Sequence, residues 1–254
     1  MDTAAHRLSR YAPTAGIAVI AATYLAVLFT QPANLQVFLG TTTLLVSAGY
    51  IAGAALILAG AIPRLSPRTL ALMPLAVVVN MLMGQVVGVS GLPLYLDSLG
   101  TVFIALLAGP LAGAGTGIVT NLIWGAFNPS AIPFSAGAAL VGLCAGYAGR
   151  LLRPSLGPTQ RRALFIAAGA ATGVLTAMIS APVAAFLFGG GLGVGTGGLV
   201  GILQATGLSM LSATTAQSLL SDVADKALAF ALALAAVYAM GPRARARFPQ
   251  APTP

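Results

Sequence analysis

The sequence predicts an all-α integral membrane protein of about eight transmembrane helices, a six-helix core with two further N-terminal spans. Three observations predict it. Of the 254 residues 58% are hydrophobic and only 6% charged, against about 25% charged in ordinary soluble domains. The apolar residues fall into runs close to the roughly 20 that a spanning helix needs. The charges fall between those runs. Arg7, Arg10, Arg64, Arg68, Arg150, Arg153, Arg161, Arg162, Arg243, Arg245 and Arg247 occupy or flank short polar gaps, the pattern of cytoplasmic loops in a multispanning protein. Twelve Lys and Arg against four acids give a net charge of +8. That excess belongs to loops, so a nucleic-acid partner is not expected.

Six spans are read directly, at 13–30, 37–61, 69–88, 135–152, 163–188 and 217–240. The stretch from Leu94 to Phe127 is too long for one helix and tight for two. A single helix at 100–126 would put the 150–162 arginines on the opposite side from Arg64 and Arg68, against the positive-inside tendency. A turn at Gly109-Pro110 gathers every Arg cluster on one side. The fourth and fifth spans then run 97–109 and 111–127, and both termini are cytoplasmic. The fourth is about 20 Å long at 1.5 Å per residue, so it starts in the outer interface or is shielded by protein. Residues 1–68 form an N-terminal extension with two spans, 69–240 the core and 241–254 a basic cytoplasmic tail.

Small residues recur at helix-packing spacing: Ala18/Ala22/Ala26, Gly49/Gly53, Gly109/Gly113/Gly117, Gly142/Gly146 and Gly169/Gly173. Close helix approach explains most of them. The glycine-rich stretch 189–198 lacks the P-loop Lys and reads as an external loop, followed by a short surface helix or an extension of the last span over 199–215. A lone Cys144 excludes an internal disulfide and any cysteine-cluster metal site. A lone His6, ahead of the first run, excludes a membrane-embedded histidine site. No metal and no cofactor are expected.

The polar residues inside this apolar chain need a reason. Asp97 sits where the short fourth span begins, as an N-cap or a ligand contact. Asp222, Asp225 and Lys226 lie three and four apart on one face of the last span, and ionisable groups in a span point inward and pair. An Asp222 to Lys226 pair is expected, which leaves Asp225 as the surplus charge for a ligand. Asn121 and Trp124 share the outer end of the fifth span. Asn80, Asn128 and Gln204 complete the polar set.

With these residues in place the chain resembles the substrate-binding S-component of energy-coupling factor (ECF) transporters, the micronutrient importers of prokaryotes. The resemblance covers about 69–240. It rests on Asn80 to Gly84, Leu92-Pro93 with Tyr95, Asp97, Gly100 and Thr101, Gly109-Pro110 with Gly113, Asn121, Asn128-Pro129, and Ser221-Asp222 with Asp225-Lys226. It implies a six-helix bundle in a prokaryotic plasma membrane, with a cavity open to the outside. Its roof would be residues 89–99 and 189–215. The substrate-binding candidates are Tyr95, Asp97, Asn121, Trp124, Asn128, Gln204, Asp222 and Asp225, for a small polar micronutrient of vitamin or heterocycle type. The resemblance also implies partners: a membrane coupling subunit and two cytoplasmic ATPases. The family docks through alanines four apart on the first core helix; the nearest match here is Ala76 to Asn80, continued by Gly84, while Ala18/Ala22/Ala26 offer a second such row on the first span.

An enzyme is not expected. The lone His6 excludes an intramembrane Ser-His protease, and an aspartyl type would need a Gly-x-Gly-Asp element that is absent. A stand-alone secondary transporter and a membrane sensor module are the alternatives.

Overall fold

The computed structural model describes residues 3–31, 41–152, 157–248 and 250–252. They form helices and short connections, with no strand among the described residues. The order is α1 (Thr3–Thr30), α2 (Thr41–Ala61), α3 (Pro67–Val89), α4 (Leu99–Ala108), α5 (Pro110–Phe127), α6 (Ser135–Ala148), α7 (Pro158–Phe188), α8 (Val194–Ala205), α9 (Met210–Ala239) and α10 (Pro242–Arg245). Tyr11–Thr30, Leu44–Arg64, Pro67–Val89, Pro129–Leu152 and Pro158–Phe188 are long and apolar enough to cross a membrane. Large apolar side chains point outward along them, among them Phe29, 84% exposed, and Leu45, 68% exposed. Such a surface suits lipid. The protein is membrane-embedded and helical.

The break at Gly109-Pro110 lies where the charges placed it. Gly109 adopts φ 91°, ψ 179°, a conformation open to Gly at little cost, and Pro110 starts α5 with a φ already suited to a first helical turn. α4 and α5 therefore fold back on each other. α4 has ten residues, seven of them buried, and spans only about 15 Å. It is surrounded by α3, α5, α6 and α9, so protein and not lipid covers it.

Glycines set the tightest crossings. A Cβ on Gly142 of α6 would collide with the backbone of Gly113 and Ala114 on α5, and one on Gly117 with Ala138. Gly169 and Gly173 of α7 lie against Phe230 and the Asp222 carbonyl of α9, and Gly53 of α2 against Gly16 and Ile20 of α1. The row Ala18/Ala22/Ala26 differs: it is exposed on α1. The α1–α2 extension packs on α5, α6 and α7, through Tyr50 with Val183 and Leu187 and through Ile57 with Ala114 and Ile118.

Several boundaries differ from expectation: α1 starts at Thr3 instead of 13 and takes in Arg7 and Arg10, and α7 starts at Pro158 instead of 163 and takes in Arg161 and Arg162. α9 starts at Met210 instead of 217, because Ser209 caps it, accepting from the Ser212 N–H at 3.2 Å. The basic C-terminal segment is folded back: α10 follows α9, Phe248 and Ala251 pack on the core cluster containing Phe165 and Phe230, and the Gln250 side chain lies beside Gly109. Positions 37–40, 153–156 and Asp2 lie outside the described residues.

Candidate functional site

A polar node fixes the start of α4. The Asn80 side chain of α3, fully buried, accepts from the Gly100 N–H at 2.7 Å and the Thr101 N–H at 3.4 Å. It donates to the Thr101 hydroxyl at 2.9 Å and to Thr120 of α5 at 3.0 Å. Free N–H groups at a helix start need such a partner, and a side chain from another helix supplies it here. Asp97 does not cap α4: the flanking residue is Ser98, and no side chain caps from that position.

Asn80 therefore corrects one expectation. Ala76, Asn80 and Gly84 do not form an outward docking row, because all three are buried. The Ala76 carbonyl fills the space a Gly100 side chain would need, and the Trp124 ring edge and Asp97 fill that beside Gly84. The small residues let α4 and Trp124 come close from inside the fold.

The loop between α3 and α4 is held by α9. Leu96 sits at φ 49°, in the left-handed region that costs a non-Gly residue about 1–3 kcal/mol. One oxygen of Asp225 accepts the Tyr95 N–H at 2.9 Å and the Leu96 N–H at 2.6 Å. The other pairs with the Lys226 ammonium at 2.6 Å. Lys226 also reaches Asp97 at 3.4 Å. The expected Asp222 to Lys226 pair is thus corrected. Spacing put Asp222 and Lys226 on one face, but the loop N–H groups anchor Asp225, and the flexible Lys stem turns toward that anchored carboxylate. Asp225 is the structural acid.

Above this clamp lies a cavity of about 330 Å³. It opens at the end of the bundle away from Gly109-Pro110, and away from Arg64, Arg68, Arg150 and Arg162, which lie in or beside the opposite helix ends. Of the expected substrate-binding residues, Tyr95, Asp97, Asn121, Trp124, Asn128 and Asp222 line it. Asp225 lies below the lining and Gln204 lies outside it, near the far end of α8. Both leave the ligand-facing set. Lys226, Gln85, Ser98, Thr176, Ser180 and Ser218 join it. The small hydroxyls of Ser98, Thr176, Ser180 and Ser218 are common in packed membrane helices, so nothing in their spacing marks them.

Both expected roof segments contribute, through Val89 and Tyr95 on one side and Leu192 to Val194 on the other. They meet where Gly195 lies against the Gly91 and Leu92 carbonyls. α8 starts there, with the Gly193 N–H donating to the Thr196 hydroxyl at 2.9 Å. Burial, with the Asp222 charge next, pushes the Tyr95 phenol up to about 12, so it faces the cavity neutral at cellular pH. Asn128 folds its own turn, its side-chain oxygen accepting from the Ser130 hydroxyl at 2.7 Å. Among the described residues no cluster of three or more His, Cys, Asp or Glu could hold a metal.

Compared with known proteins, the chain matches no family model, no curated protein and no solved structure.

Proposed function

We propose that the protein is the substrate-capture subunit of an ATP-driven importer of the energy-coupling factor type. It takes a small polar micronutrient from outside a prokaryotic plasma membrane. It passes the solute inward together with a membrane coupling subunit and two cytoplasmic ATPases. The observation that carries this reading is the cavity: about 330 Å³, lined by apolar side chains with a set of polar ones among them, at one end of a membrane-embedded bundle, within the range of small-molecule sites. α3, α5, α6, α7 and α9 supply its walls, and the sequence has no P-loop Lys motif of its own.

The test is uptake. Right-side-out vesicles holding this chain alone should bind solute without accumulating it. Accumulation should appear when the coupling subunit, both ATPases and ATP are present. Accumulation by the chain alone, driven by an ion gradient, would instead favour a secondary transporter, a reading supported by the ionised pair buried in α9. With Ala76, Asn80 and Gly84 inside the fold, the exposed Ala18/Ala22/Ala26 row of α1 is the face we assign to the coupling subunit.

The topology in this proposal is eight spans, α1 to α7 and α9, with both termini cytoplasmic and the cavity outside. Exposed Thr159 and Thr206 serve as reporters. In a Cys144→Ala background, a Cys at 206 should react with an impermeant maleimide added to intact cells. A Cys at 159 should react only after permeabilisation. Labelling of 159 in intact cells would invert the protein or change the span count.

A further inference from the structure

Four ionisable side chains meet beneath and along the cavity: Asp97, Asp222 and Asp225 against one cation, Lys226. Asp225 is satisfied by two loop N–H groups and Lys226, and Asp97 shares the same ammonium. Asp222 faces the cavity, is 5% exposed, and makes no ion pair within 4.0 Å among the described residues. The Thr176 hydroxyl lies within hydrogen-bonding reach of it and also of the Thr172 and Gly173 carbonyls. Among the described residues the one cation beside these acids is Lys226, and its contacts go to Asp97 and Asp225, so no counter-charge is left for Asp222. A buried charge without a counter-charge is costly.

A second observation points to a ligand. Ser98, 3% exposed, lines the same cavity, and its buried hydroxyl has no hydrogen-bond partner. Buried hydroxyls are normally paired, so this one lacks a partner that an occupant's polar group would supply once the Ser98 side chain turns into the cavity. The remaining wall is aromatic, from Tyr95, Trp124 and Phe134, and aromatic faces attract cations.

Resting on the reading of this cavity as a solute site, we propose that its ligand is a compact monocation with a flat aromatic or amidine-like body. Its charge is matched to Asp222, its ring lies against Trp124, and one polar group reaches Ser98. An anion would be repelled by the acids along the cavity. A neutral ligand would supply Asp222 no counter-charge.

Trp124 is the sole tryptophan, so its fluorescence reports directly from the cavity wall. The full chain, purified in detergent, is titrated with benzamidinium, benzamide and benzoate, which share size and shape and differ in charge. Benzamidinium should change the emission saturably and bind at least about tenfold more tightly than benzamide, as a charge-assisted contact implies. Benzoate should be silent. Asp222→Asn, checked for folding by gel filtration, should reduce that preference to near unity. The charge series on the unaltered chain stands by itself if the variant fails to fold. Benzamide or benzoate binding as tightly as benzamidinium overturns the proposal. So does a cation preference that survives Asp222→Asn, or the absence of any saturable response to benzamidinium. Uptake that needs the ATPases while benzoate binds best would remove this assignment and leave the importer reading standing. Cation-selective binding with ATPase-independent uptake would do the reverse.

Discussion

Replacing Asp225 by Ala should cost about 3–5 kcal/mol of stability, the effect of removing one partner from a buried ion pair. Three contacts are lost together: the Lys226 ammonium at 2.6 Å and the N–H groups of Tyr95 and Leu96. Lys226, 6% exposed, would keep only Asp97 at 3.4 Å. Leu96 would also lose what holds it at φ 49°. The loop carrying Tyr95, Asp97 and Ser98 should loosen, and ligand binding should fall with stability. Asp222→Ala removes no ion pair, so it should leave the fold largely intact while impairing binding. Melting temperatures of both variants in detergent, followed by fluorescence-detected gel filtration, make the comparison. A melting temperature for Asp225→Ala within a degree or two of the unaltered protein, with Asp222→Ala unfolded, would return the structural role to Asp222.

The second large effect is expected at the α5–α6 crossing. Gly142→Val should destabilise by about 3 kcal/mol, at the upper end for overpacking. A Cβ there meets backbone of Gly113 and Ala114 instead of the end of a flexible side chain, so nothing can rotate away. The helices would have to separate, pulling Ala138 and Val141 of the cavity wall outward. Gly198→Val makes the control. Gly198 has open space where its side chain would go, and its substitution costs only local propensity. The two variants are compared by expression level and melting temperature in detergent. Equal values would mean that the helices do not approach as closely as Gly142 and Gly113 imply.

The contrast between Gly142 and the Ala18/Ala22/Ala26 row shows how far spacing reaches. Both are small residues four apart on apolar helices. One lies in a crossing and the other faces outward. Periodicity states which residues share a stripe of their own helix; it does not state what the stripe meets. Ala76, Asn80 and Gly84 failed as an outward row for that reason. Gln204 failed as a lining residue because the turn at Thr206 and Gly207 separates α8 from α9, and its position along α8 carries it past the cavity mouth.

Composition and charge placement were enough for the membrane-embedded helical class and the reversal at Gly109-Pro110, and they drew attention to the polar residues Asp97, Asn121, Trp124, Asn128 and Asp222. These follow from local rules: about 20 apolar residues suit a bilayer, proline starts helices, and a charge within an apolar run must face something polar. The exchange of roles between Asp222 and Asp225 came from elsewhere in the chain. Both acids lie on the inner side of α9, and their spacing to Lys226 favours Asp222. The deciding donors are the backbone N–H groups of Tyr95 and Leu96, about 130 residues earlier. Backbone donors are the same in every residue except proline, so they leave no trace in the sequence. Only when the bundle brings that loop over α9 does one carboxylate become a clamp and the other remain free to face the cavity.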